Sequence, residues 1–458
     1  MTGTKKKDLI TDFTSGNIWK QLIVFSAPLF LGNLLQMVYN MVDMIIVGRV
    51  LGNVGISGVS IGGDITHFFT MLIMGFSNAA SIIISQLVGA KQKNKVGQLI
   101  GTLSVFLLIC GVVMTTIGLV FRYPILNVMN TPTECYDYAM DYCIVSLSGL
   151  LFIFGYNAVS AVLRGLGDSK HPFLFIAVSS VVNIILDIVF VMFMDMGTFG
   201  AALATVIGQA VSFIWSLLFL VKRKDNLGFK ITKNDFRIDK QLFGTLIKLG
   251  IPMAIKQASI SFSKLFINSF INQYGLEYTA VSGVSNKIIN IPMLVSNSVN
   301  TAGSSMVGQN VGAEEYKRVP KILGVVLTIA GIGTLALLAV VLLFPTQVYM
   351  LFTKDTSILP VAMEYMPVLI LNFITVIFRA PANAFVNGTA NYRVNFALAI
   401  MDAFVARVGL GLLLGSVFHL EYMGYWLGDA LSGFMPMIVG VVYFLGGKWK
   451  TRKYVIKD

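Results

Sequence analysis

The chain has 458 residues, of which 56% are hydrophobic and 12% charged, and its net charge is +12. Soluble domains carry about 25% charged residues, so this composition, with a mean hydropathy of +0.78, excludes a soluble globule. It points to an all-α polytopic membrane protein.

A helix of about 20 apolar residues crosses a hydrocarbon core of about 30 Å. Apolar segments of that length fall near 18–48, 54–87, 97–121, 134–163, 171–194 and 198–221, and six more near 242–272, 280–309, 319–344, 357–387, 393–416 and 421–446. Twelve transmembrane helices are therefore predicted. The first segment is long and has no small-residue cleavage site, so it reads as a retained helix and not as a signal peptide.

In the first helix Asn33, Gln36, Asn40 and Asp43 follow spacings of three, four and three, which puts them on one stripe. Pro28 precedes the stripe at a place where a missing backbone donor bends a helix, and is the candidate gating residue. Asp64 and His67 share a face of the second helix. The fourth helix adds Asn157, and in the fifth Asn183 and Asp187 are four apart on one face. An ionisable group at membrane depth is costly and normally faces a cavity or a partner, so Asp43 and Asp187 are predicted to meet in one pocket. The seventh helix carries a second stripe, Gln257, Ser261, Lys264 and Asn268. Lys256, Lys287, Arg379 and Arg407 also fall at apparent membrane depth. Long bases of this kind either line a cleft, snorkel, or pair with an acid such as Asp402.

Basic residues sort by side. Lys5 to Lys7, Lys91, Lys93, Lys95, Arg164, Lys170, the run from Lys222 to Lys240, Lys317, Arg318, Lys321, Arg393 and the segment from Lys448 to Lys457 lie in alternate loops. The other loops hold Arg49, Arg122 and Lys354. The positive-inside rule then predicts a multi-pass protein of the cytoplasmic membrane with both termini cytoplasmic. Loop charge of this kind accounts for the basic balance without a nucleic-acid partner. Cys110, Cys135 and Cys143 have neither metal-ligand nor disulfide-framework spacing.

The chain repeats itself. Gln86-Leu-Val-Gly89-Ala90 recurs 223 residues later as Gln309-Asn-Val-Gly312-Ala313, and Gly165 answers Gly388 at the same spacing. Pro28 answers Pro252 at 224, and Ser57 to Ser60 answer Ser282 to Ser285 at 225. Six helices per copy send both copies into the membrane from one side, so the predicted architecture is two six-helix bundles related by a pseudo-two-fold axis along the membrane normal. The boundaries predicted are an N-lobe of helices 1–6 over 1–221, a cytoplasmic linker over 222–241, a C-lobe of helices 7–12 over 242–447 and a basic cytoplasmic tail over 448–458. The copies differ chemically. The positions answering Asp43 are Ile267 or Asn268, and the one answering Asp187 is Leu410, so the acids belong to the first copy and the bases to the second.

Pro28, Asp43, Val47-Gly48, Gln86-x-x-Gly89-Ala90, Arg164-Gly165-x-Gly167-Asp168 and Asn183-x-x-x-Asp187 together resemble the multidrug and toxic compound extrusion (MATE) family, prokaryotic branch. The resemblance implies a cation-coupled antiporter whose two lobes face a central cleft and which exports organic compounds. It also implies that Asp43, Asn157, Asn183 and Asp187 form an ion-coupling pocket in the N-lobe. Two carboxylates among amides suit either a proton or a sodium ion held at Asp43 and Asp187, and the residues leave that choice open. Asn33, Gln36, Asn40, Gln257, Ser261, Lys264 and Asn268 are the substrate-cleft candidates. The expected partners are a small organic substrate and the bilayer, with the protein a monomer and no cofactor beyond the coupling ion. The basic second lobe leaves room for an anionic or zwitterionic cargo, and a flippase for a lipid-linked or anionic amphiphilic substrate is the alternative reading. The chain has no HExxH and three histidines in all, and its loops are mostly short, so an enzyme is not expected.

Overall fold

The computed structural model describes residues 10–223 and 232–451, so Lys5 to Lys7, Lys224 and Lys230 of the linker's basic run, and the tail from 452 lie outside the described residues. Among these residues there are helices and no strands. Ile18–Gly89 is helical except at Gly52, whose φ of 63° and ψ of −155° break it into α1 (18–51) and α2 (53–89). The loop expected over 49–53 is thus replaced by a single residue, because only glycine reaches that backbone region without a Cβ clash. There follow α3 (Lys93–Val120), α4 (Thr133–Ser148 with Leu150–Gly165, bent by 49°), α5 (Lys170–Phe193) and α6 (Gly197–Lys222). The second set is α7 (Lys240–Ile271), α8 (Leu276–Gly312), α9 (Val319–Leu343), α10 (Leu359–Gly388), α11 (Tyr392–Val417) and α12 (Glu421–Leu445). Length and hydropathy alone do not mark α7 and α8 as spans. Lysines on α7 and many Ser and Asn on α8 lower their apolar character.

The helices form two compact units, one of 1–12 with Leu31–Gly250 and one of Phe13–Phe30 with Ile251–Asp458. The chain passes between units within α1 and again within α7. Those passages lie three and two residues from Pro28 and Pro252, which answer each other in the repeat. α1 keeps helical dihedrals through Pro28.

In the first unit the segment before α7 is fastened to α3, where Thr102 Oγ1 donates to the Arg237 carbonyl at 3.2 Å and accepts from Asp239 N–H at 3.1 Å. The second unit holds the segment before α1 by related means. Phe13 N–H donates to Gln309 Oε1 at 2.9 Å, Asn310 Nδ2 donates to the Phe13 carbonyl at 3.0 Å, and Arg318 donates to the carbonyls of Phe13, Ser15 and Gly16. Gln309 of the repeated motif therefore works as an anchor for the chain's entry. Phe13, Leu22 and Phe25 complete a core with Val307, Phe385 and Trp449, so the first residues of the expected tail are packed into this unit. A second core in the same unit joins Ile267, Val281, Tyr365, Phe373 and Trp426, while Ile46, Val47, Tyr142, Val145 and Val191 form one in the first unit.

The duplication is visible in the packing. A Cβ on Gly165 would lie 2.7 Å from the Ser81 carbonyl oxygen and 2.8 Å from Ile84, and one on Gly388 would lie 2.9 Å from the Ser304 carbonyl oxygen and 2.7 Å from Val307. All three residues of each set are 223 apart in the sequence. The left-handed residues repeat too, Lys91 with Glu314 and Gly167 with Ala390. The copies part in the fifth helix of each unit. α5 has one π-helical stretch at Ile188–Phe193, whereas α11 has two, Met401–Val408 and Leu413–Val417.

Candidate functional site

The acids of the first unit come together. Asp187 is fully buried at the end of the regular part of α5, immediately before its π-helical turn, a feature that recurs at functional sites. Asp43 on α1 is 7% exposed and lies within electrostatic range of Asp187, with the hydroxyls of Tyr39 and Tyr142 in range of both. Neither oxygen of Asp187 has a hydrogen bond, and Asp43 Oδ1 and Asn183 Oδ1 have none either. The Asn183 amide one turn earlier approaches Asp187 without reaching ordinary hydrogen-bond geometry. Its Nδ2 instead donates to Thr205 Oγ1 on α6 at 3.3 Å, and Thr205 also lies close to the Tyr142 hydroxyl. Asn157 is half-buried and donates to the Ile153 carbonyl of its own helix at 2.8 Å. Asn33 and Gln36 are half-buried, Gln36 donating to the Tyr39 hydroxyl at 3.4 Å, while Asn40 is exposed.

Four buried acceptor oxygens without donors make an unusual pocket, since buried polar atoms are nearly always partnered. Such a set is satisfied by a proton on a carboxyl group, which turns an acceptor into a donor, or by a bound cation. Tyr39, Tyr142 and Thr205 complete this pocket, and the sequence reading missed them. Tyr39 precedes Asp43 by four residues and so was legible as a neighbour. Tyr142 and Thr205 come from helices far away in sequence and carried no signal.

The bases of the second unit are paired. Arg407, 1% exposed, forms ion pairs with Asp402 and Asp429, and Arg379 pairs with the other oxygen of Asp402. Asp402 and Arg407 are five apart, a spacing that does not face in an α-helix but does within the i to i+5 turn of a π-helix, and both lie inside Met401–Val408. Asp429 comes close because α12 crosses α11 backbone to backbone, where a Cβ on Gly428 would lie 2.3 Å from Gly411 N. Lys256 Nζ donates to Asn383 Oδ1 at 2.5 Å. Lys264 and Asn268 are half-buried, and Gln257 and Ser261 are exposed. Lys287, expected at membrane depth, is exposed, as are Asp64 and His67. The cysteines are free.

Among the described residues no group of three or more His, Cys, Asp or Glu is placed to hold a metal ion. A G-x-S-x-G pattern occurs at Gly58-Val-Ser60-Ile-Gly62, but it lies inside α2 and not at the strand-to-helix turn that makes such a serine a nucleophile.

Two six-helix units crossing a bilayer, with donor-starved acids buried in one and paired bases in the other, define a multi-pass membrane transporter. The MatE family model matches residues 28–189 and again 252–413, and the chain belongs to that family. Both matches begin at the repeat-related prolines. "Probable multidrug resistance protein YoeA" of Bacillus subtilis (strain 168) is 29% identical over 458 residues, covering 98% of each chain. "Probable multidrug resistance protein NorM" of Thermotoga maritima is 24% identical over 448 residues, 96% of this chain and 95% of that protein. Among solved structures, one described as the outward-facing conformation of a multidrug resistance MATE family transporter of the MOP superfamily shares the fold, with a TM-score of 0.89 at 24% identity over 98% of this chain and 100% of that one.

Proposed function

We propose that this protein exports organic compounds from the cell by cation-coupled antiport, its two units exposing the substrate path alternately to each side of the membrane. Export of drug-like compounds is supported by relatives whose names describe multidrug resistance over nearly the full length of the chain. The observation that carries the coupling is the buried Asp43 and Asp187 pair, three of whose carboxylate oxygens have no hydrogen bond.

A proton or sodium ion entering this pocket supplies what those oxygens lack, and its departure restores two unpaired negative charges to a low-dielectric site. The two states differ by several kcal/mol of electrostatic free energy, enough to bias a conformational equilibrium when the ion binds one state better. Pro28, near the point where α1 leaves one unit for the other, is where that bias is converted into movement. Asn183 and Thr205 hold the pocket's geometry, and Asn157 joins it only through a change in its present bond to Ile153. In this reading the protein acts as a monomer in the cytoplasmic membrane with both termini inside, and needs no cofactor beyond the coupling ion.

The test is ion-driven efflux in membrane vesicles. Asp43→Asn and Asp187→Asn are expected to abolish the stimulation by an imposed proton or sodium gradient while the proteins still fold. Undiminished coupled efflux in both variants would remove the pocket from the mechanism.

A further inference from the structure

The second unit holds more buried positive charge than its acids neutralise. Lys256, Lys264, Arg379 and Arg407 converge from α7, α10 and α11, and Asp402 and Asp429 are the acids that meet them. Both oxygens of Asp402 are already taken, one by Arg379 and one by Arg407. Asp429 is taken by Arg407. Lys256 has the Asn383 amide oxygen as its neutral acceptor. Lys264 is half-buried, lies within electrostatic range of Arg407, Arg379 and Asp402, and makes no hydrogen bond or ion pair among the described residues. Arg407 Nε is also buried without an acceptor.

Cations in excess of their counterions repel one another strongly in a low dielectric, and an anion entering from outside relieves that repulsion. Ser261, one turn before Lys264 on the same face of α7, is exposed and adds a hydroxyl donor. The Arg379 side chain, paired with Asp402, is 16% exposed.

We propose that this cluster is an anion subsite, in which Lys264, with Arg379 beside it, binds the carboxylate, sulfonate or phosphate of an organic substrate. This extends the export reading to the chemistry of the cargo. Asp402 and Asp429 then have the role of orienting the two guanidinium groups. The anion brings the charge that Lys264 lacks, in a charge-assisted hydrogen bond.

The experiment compares two xanthene dyes of similar shape and opposite charge, anionic fluorescein and cationic rhodamine 6G. Their binding to the purified full-length protein in nonionic detergent is read by fluorescence anisotropy. Lys264→Ala is expected to weaken fluorescein binding by roughly tenfold or more, leave rhodamine 6G binding unchanged or tighter, and be rescued by Lys264→Arg. Wild-type fluorescein affinity in Lys264→Ala would overturn the proposal, and so would equal loss of both dyes. Competition with a short-chain phosphatidic acid or with a soluble aryl phosphate tells a lipid headgroup from a free organic anion, and displacement by either supports the subsite. Because the assay reads binding without transport, its outcome is independent of whether Asp43 and Asp187 couple an ion.

Discussion

Asp187 and Asp402 are both fully buried, yet their surroundings assign them opposite roles. Asp402 is clamped between two guanidinium groups, so neutralising it strands Arg379 and Arg407. Breaking a buried ion pair on one side costs about 3 to 5 kcal/mol. Asp402→Asn is therefore expected to lower the thermal unfolding temperature of the detergent-solubilised protein markedly. Asp187 has no hydrogen-bonded partner to lose, and Asp187→Asn removes only a desolvated charge, so its unfolding temperature should stay level or rise. If both variants lost stability equally, the division into a structural and a functional acid would be wrong. The division of acids and bases between the two copies was legible in the sequence, since charges in apolar runs are conspicuous. That the bases could pair with Asp402 was also read from the sequence, and the structure shows Arg379 and Arg407 doing so; the part of Asp429, from a third helix, was not legible.

At the scale of the helix, most span positions could be read from apolar length, and the observed elements follow them closely, while α7 and α8 carry too many Lys, Ser and Asn to be marked by hydropathy alone. The irregularities could not. A single glycine, Gly52, joins α1 to α2, and glycines at 55, 58, 62 and 63 offered equally plausible breaks. The π-helical turns of α11 leave no mark on hydropathy, though they are what faces Arg407 toward Asp402. Close helix crossings give the sharpest predictions here. Gly165→Ala and Gly388→Ala each drive a Cβ into a backbone carbonyl of the neighbouring helix, and overpacking of this kind costs about 1 to 3 kcal/mol. Measured unfolding should show similar losses for both, because the two copies share the contact. Gly428→Ala is expected to be worse, since it pushes α12 off α11 and separates Asp429 from Arg407 as well.

For the whole molecule, duplication supplies the scaffold and divergence supplies the chemistry. The packing glycines, the left-handed helix ends and the paired prolines persist in both copies. The acids and the donor-poor pocket occupy one, and the salt-bridge network and its surplus bases the other. Pro28 and Pro252 sit near the points where α1 and α7 pass between units, so Pro28→Ala and Pro252→Ala should preserve dye binding while slowing turnover in a transport assay. Loss of binding with turnover would instead mark them as packing residues. The most direct test of the central claim uses purified protein in liposomes loaded with a transported dye, recording proton and sodium movement as the dye leaves. Wild-type protein should move one of these ions against the dye flux, and Asp187→Asn should move none. Dye efflux without any ion flux, or ion flux that survives in Asp187→Asn, would contradict the account.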